Sequence, residues 1–346
     1  MLMIILGAGA SYDSYSSRLP STDSKDLGRP PLANELFGDR DYFNELLHKY
    51  GQCREILPQL RGQPALEELL ERLQEEAKTF LHGQQQLMAV KYYIRAAIEC
   101  YEEQWRSIHR GATSHLALLN RIERWRKSKD RSVAIVTFNY DTIMEEALSS
   151  YLNYRFNDLA HYIEGHDYKL FKLHGSVNWG HLTRVQMSHL ESMSMDKLEQ
   201  RIIEWTGSTG VQIYPDRFRM QSEALSLMQG GYALLPALAI PVKRKDSFSC
   251  PKEHLTELEK VIPNVDRILS IGWRGQEQHF LNYLSKVSET VRVLVVAKNS
   301  TEAKQTALSM KKGGVRGNYI EHRAGFSNLI INHETLDEFL YDKANS

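Results

Sequence analysis

Short, continuous apolar runs recur along this chain, separated by longer polar-rich stretches. They fall at 2–6, 132–137, 169–173, 233–240, 267–271 and 291–297. Most do not alternate between apolar and polar residues, which is the pattern of strands buried on both faces of a parallel sheet. A further run, 328–332, reads as an edge strand. Amphipathic stretches at 141–151, 252–261, 277–287 and 301–311 read as helices between them. Strand and helix in alternation imply right-handed βαβ units. The expected fold is therefore α/β: a Rossmann-like, doubly wound, mostly parallel sheet of about six strands.

The interval 31–129 interrupts this rhythm. It is rich in Glu, Gln, Leu, Arg and Lys, and Leu66, Leu69, Leu70 and Leu73 trace one helical face. It reads as a helical insertion after the first strand, at about 31–130. A separate helical domain is the alternative this pattern leaves open. The span 187–230 also looks helical, broken by Gly207-Ser208-Thr209-Gly210 and Pro215, and reads as a lid or interface segment. A single domain over 1–346 is the expectation.

Composition narrows the function. Hydrophobic residues at 42% and charged residues at 25% fit a soluble globular protein. Lys plus Arg (43) balance Asp plus Glu (43), which argues against a dedicated nucleic-acid or anionic-membrane binder. The three cysteines, Cys53, Cys100 and Cys250, are far apart and form no C-x-x-C. They offer neither a disulfide framework nor a paired-cysteine zinc site, and suit a reducing cytoplasm. No run approaches membrane-spanning length. The first run has no basic segment before it and is read as a strand, not a signal peptide.

Candidate chemistry lies where the strands end. Gly7-Ala8-Gly9-Ala10-Ser11 follows the first strand. Gly7 is expected to take a positive φ, Gly9 to let the backbone approach a ligand, and the next amides to face a phosphate from a helix N-terminus. The last glycine of the dinucleotide fingerprint is missing, with Tyr12 in its place. The second strand delivers Asn139 and Asp141, which also suit a helix N-cap. The third delivers His174, then Gly175 and Ser176; a histidine there is placed to act near neutral pH. Gly272 and Trp273 follow a later strand, the indole being suited to ring stacking or to core packing. His161 and His166 read as solvated loop residues, and Glu67-Glu68 and Glu75-Glu76 as solvated helix faces.

In order and approximate spacing, G-A-G-A-S (7–11), T-F-N-Y-D (137–141), L-H-G-S (173–176) and I-G-W-R (271–274) resemble the motifs of the sirtuin (silent information regulator 2) family. The chain departs from the family's protein deacylases in three ways. It has no four-cysteine zinc module, Phe138 replaces their Gln, and a helical insert separates the first two motifs. Those departures, with Pro30-Pro31-Leu32-Ala33-Asn34-Glu35-Leu36, are similar to the prokaryotic sirtuin-like proteins of antiphage defence, which hydrolyse NAD.

The resemblance implies NAD as a substrate and no metal. Asn139 and His174 would be catalytic, Asn139 positioning water or ribose hydroxyls and His174 acting as general base. Gly7, Ala8, Gly9, Ser11, Asp141, Gly175, Ser176, Gly272, Trp273 and Asn299 would complete the NAD site. Asn299 belongs to Ala297-Lys298-Asn299, which departs from the family's usual Ile-Asn. The implied activity is that of an NAD hydrolase (NADase) releasing nicotinamide and ADP-ribose, depleting NAD in antiphage defence by abortive infection. A zinc-free deacylase and a non-catalytic nucleotide-binding subunit are the alternatives. A homo-oligomer, a defence-system partner protein or a small ligand at the insert would trigger it, with no membrane or direct nucleic-acid binding.

Overall fold

The computed structural model describes residues 1–14, 31–32, 35–38, 41–61, 66–109, 113–187, 190–241 and 248–341. Pro30, Ala33 and Asn34 of the defence-type motif lie outside the described residues. In chain order the strands are β1 (Leu2–Leu6), β2 (Val133–Thr137), β3 (Tyr168–Lys172), β4 (Gly175–Val185), β5 (Val211–Met220), β6 (Tyr232–Leu238), β7 (Arg267–Ile271), β8 (Val291–Val296) and β9 (Gly317–His322). The chain divides into two compact units. One comprises Met1–Pro30, Glu102–His174 and Lys252–Ser346; the other comprises Pro31–Tyr101 and Gly175–Pro251.

The first unit is built on a six-stranded sheet in the order β3-β2-β1-β7-β8-β9, paired in parallel throughout. It is Rossmann-like: the chain winds outward from β1 to β3, then returns beside β1 and winds outward again to β9. That reversal at β1 creates a topological switch point, the place where open α/β sheets bind ligands. Every residue of β1, β2 and β7 is buried, which explains their mostly apolar, non-alternating runs. The strand ends are level, with Leu6 opposite Thr137 and Ile271, Thr137 opposite Lys172, and Ile271 opposite Val296.

Two expectations about this sheet are corrected. The 328–332 run is helical up to Ile331, in the helix Phe326–Ile331, with Asn332 as its C-cap, and the edge strand on that side is the more polar β9. The 233–240 run forms β6, which belongs to the other unit's sheet.

The second unit combines the insertion helices up to Tyr101 with an antiparallel three-stranded sheet, β5-β4-β6. The span read as helical from 187 to 230 thus contains both the helix Met195–Trp205 and strand β5, with Pro215 inside the strand. Proline is tolerated on an edge strand, and β5 is an edge here. Leu66, Leu69, Leu70 and Leu73 are all buried, as their spacing requires. Glu199 draws three partners onto its carboxylate: Tyr50 Oη at 2.8 Å, Lys49 Nζ at 3.0 Å and the Arg95 guanidinium. The insertion is divided, since the helix Ser114–Lys129 belongs to the first unit.

Burial lowers the pKa of three histidines from 6.5 to about 4: His115 and His254 in the first unit, His181 in the second. Each is neutral when folded and protonates more readily when unfolded. Stability from these groups is fully present above pH 6.5 and is lost as pH falls toward about 4. Over that window each contributes a slope of up to about 1.4 kcal/mol per pH unit. Melting temperatures should therefore fall steeply between about pH 7 and about pH 4. His254→Gln, which keeps an amide donor for the Leu159 carbonyl now 2.9 Å from Nε2, should flatten that fall.

Candidate active site

The glycine turn, the Asn139 loop and the end of β7 converge at the switch point through backbone contacts. Gly7 is extended, with φ −109° and ψ −178°, so the expected positive φ is not what it supplies. It is needed because a Cβ there would stand 2.4 Å from the Gly272 carbonyl oxygen and 2.6 Å from Trp273 Cα. Gly9 likewise meets Gly272, 2.8 Å from a Cβ to its Cα. The positive φ belongs to Gly272, at +59°. Gly7 N donates to Ile271 O at 3.0 Å, Gly9 N to Gly272 O at 3.2 Å, and Ala10 N to Gly7 O at 2.9 Å. These three amides are engaged within the protein, Ala10 N being one of those expected to face a ligand. Ala8, at the exposed crest of the turn, begins the short helix Ala8–Tyr12.

The Asn139 loop is fastened to this turn by side chains. Asn139 Nδ2 donates to Gly7 O at 3.0 Å and to Ser11 Oγ at 2.8 Å. Ser11 Oγ then donates to Asp141 Oδ2 at 2.7 Å. Because Gly7 O can only accept, the amide must present its NH2 to the turn, which orients its oxygen the other way. Asp141 does two jobs, since its Oδ1 also accepts from Ile143 N at 3.3 Å near the start of the helix Ile143–Leu152.

Beneath the loop lie charged groups. Lys172 Nζ donates to the Asp141 carbonyl and pairs with Glu145 Oε1 at 2.8 Å. Thr142 donates to Glu102 through its amide and, at 3.1 Å, through its hydroxyl. Burial first, and then the Asp141 carboxylate, push the Glu102 carboxyl up to about 8, against the pull of the Thr142 amide and Arg106. Its pKa is raised on folding, so its contribution to stability is present below about 4.5 and is lost as pH rises toward about 8.

His174 follows β3 and is buried, its ring 4.8 Å from Phe138. Phe138 also stacks on Trp273, with centroids 5.6 Å apart and planes at 9°, and meets Phe280 edge-on at 5.3 Å. Trp273 is buried in this cluster, and its Nε1 donates to Glu277 at 2.5 Å. The indole has its core-packing role here. Phe138, passed over as a departure from the resembled motif, is the hub joining the ends of β2, β3 and β7.

Gly7, Gly9, Ser11, Asn139, Asp141 and Gly272 are thus in direct contact or one bond apart, with His174 and Trp273 reached through Phe138. Asn299 is an N-cap: its Oδ1 accepts from Glu302 N at 2.9 Å at the start of the helix Ser300–Lys312. Gly175 and Ser176 open β4 of the second unit. Gly175 has φ +82°, and a Cβ there would stand 1.8 Å from the Ala237 carbonyl oxygen, so both its backbone and its surroundings require glycine. Lys172, Glu145 and Glu102 were not singled out in the sequence. Their signal was a lysine inside a buried strand and acids on helix faces that otherwise bury apolar residues, since such charges are buried only when paired.

No family model matches the chain, and no curated protein matches it. A solved structure described as "Structural Basis for the Mechanism and Regulation of Sir2 Enzymes" is similar at a TM-score of 0.36 and 11% identity, over 97% of this chain and 93% of that one. Among the described residues, no group of three or more His, Cys, Asp and Glu could hold a metal ion.

Proposed function

We propose that this chain is an NAD glycohydrolase, with water and NAD giving nicotinamide, ADP-ribose and a proton. The observation that carries this reading is the Asn139–Ser11–Asp141 hydrogen-bond chain across a glycine turn at the switch point of a Rossmann-like sheet. Motifs resembling those of NAD-consuming enzymes supply the same residues. Both amide hydrogens of Asn139 have acceptors in the protein, so its role toward substrate falls to Oδ1, an acceptor for a ribose hydroxyl or the attacking water. His174 takes the proton as that nucleophile forms. The glycosidic bond breaks through an oxocarbenium-like state. In this reading the enzyme depletes NAD as a defence effector, and self-assembly or a partner protein releases its activity.

The test is to incubate the purified protein with NAD, alone and with the products of neighbouring genes, and to measure nicotinamide and ADP-ribose. Their release in equal amounts supports hydrolysis. Consumption of an acylated peptide together with NAD would establish a deacylase instead.

A further inference from the structure

Lys172 is among the most deeply buried charges of the first unit, with no side-chain exposure, in a strand flanked by Leu170, Phe171 and Leu173. A lysine in such a position needs a partner, and Glu145 provides one at 2.8 Å. A buried ion pair is weak grounds for stability, because apolar residues of similar volume often do as well. What an apolar pair could not replace is the second bond of Lys172, from Nζ to the main-chain carbonyl of Asp141. That carbonyl lies in the loop whose side chains, Asn139 and Asp141, grip the turn. The backbone of β3 also reaches this loop's strand, with Leu173 N donating to Thr137 O at 3.1 Å. Lys172 therefore connects the strand that delivers His174 to the loop that delivers Asn139.

We propose that Lys172 is a positioning residue: its amine, neutralised by Glu145, holds the Asp141 carbonyl and so fixes the Asn139–Asp141 loop in register with the His174 strand. The inference rests on the hydrolase reading for its kinetic consequence, but not for its structural one. Misplacement of reacting groups by about 1 Å can cost on the order of 100-fold in rate.

The test is the neutral, volume-matched double variant Lys172→Met/Glu145→Met. It removes the pair without stranding either charge, so its melting temperature should return close to wild type from the lower value of Lys172→Met alone. Turnover of NAD should nonetheless stay down by about 100-fold. Hydrogen exchange should speed up at the amides of 138–142 while β1 and β7 remain protected. Wild-type turnover and unchanged exchange in the double variant would overturn the proposal and leave Lys172 as a core ion pair. Glu145→Gln covers the case of a double variant that does not fold. It keeps the amine on Asp141 O but strands its charge, so the melting temperature should fall, while turnover measured below that variant's own melting temperature should fall less than in Lys172→Met. A loss equal to that of Lys172→Met would overturn the proposal. If the wild type does not cleave NAD, the hydrolase reading fails, while the exchange measurement still decides the role of Lys172.

Discussion

Gly272→Ala is expected to lower the melting temperature by roughly 10 °C, from a loss of about 3–5 kcal/mol. Two costs add. A side chain at φ +59° carries left-handed strain of about 1–2 kcal/mol. Its Cβ would also stand 2.4 Å from Ala10 N and 2.5 Å from Gly9 Cα, and main chain cannot swing aside as a side chain can. The turn must separate from β7, breaking the bond from Gly9 N to Gly272 O. Gly231→Ala is the matched control, with φ +78° but nothing within 4 Å of the added methyl, so only the strain should appear. Equal losses in the two variants would show that the contact between turn and strand does not matter. NAD binding should weaken in Gly272→Ala and be spared in Gly231→Ala.

Asn139→Ala is expected to cut NAD cleavage by 100-fold or more, the usual order for losing a preorganised polar group in an active site. It also removes the donor to the buried Gly7 carbonyl, at about 1–3 kcal/mol of stability. Activity must therefore be measured below the variant's own melting temperature. Ser11→Ala separates the two contributions. It breaks the relay to Asp141 but leaves the bond from Asn139 to Gly7, so its loss should be smaller. Cleavage within tenfold of wild type in folded Asn139→Ala would remove this residue from the chemistry.

The parallel sheet was legible because a strand buried on both faces is mostly apolar along its length. β1, β2, β7 and β8 announce themselves in that way. The antiparallel sheet was largely hidden, since β5 exposes most of its length and carries a proline. β9 was hidden for the same reason, as a polar edge strand; the apolar 328–332 run competed for its place and became a helix. That Asn139, Asp141 and Ser11 meet was legible from their places just beyond strand ends. The reasons for the glycines were not. Sequence suggests that a glycine makes room, but whether for a ligand or for another backbone depends on partners more than 200 residues away, as with Gly7 and Gly272. The charged underpinning of Lys172, Glu145 and Glu102 needed three-dimensional proximity to be recognised as one assembly.

The central place of β1 has a consequence for how the chain is made. Leu2 pairs with Val133 on one side and with Arg267 on the other. During synthesis this wholly apolar segment leaves the ribosome before either neighbour and waits for both. Until then it is an unpaired, aggregation-prone strand, and the pairing it awaits is non-local and therefore slow to form. The glycine turn cannot settle until Gly272 has emerged. The candidate site at this turn is thus among the last features of the nascent protein to mature, and a product truncated before Gly272 cannot form it.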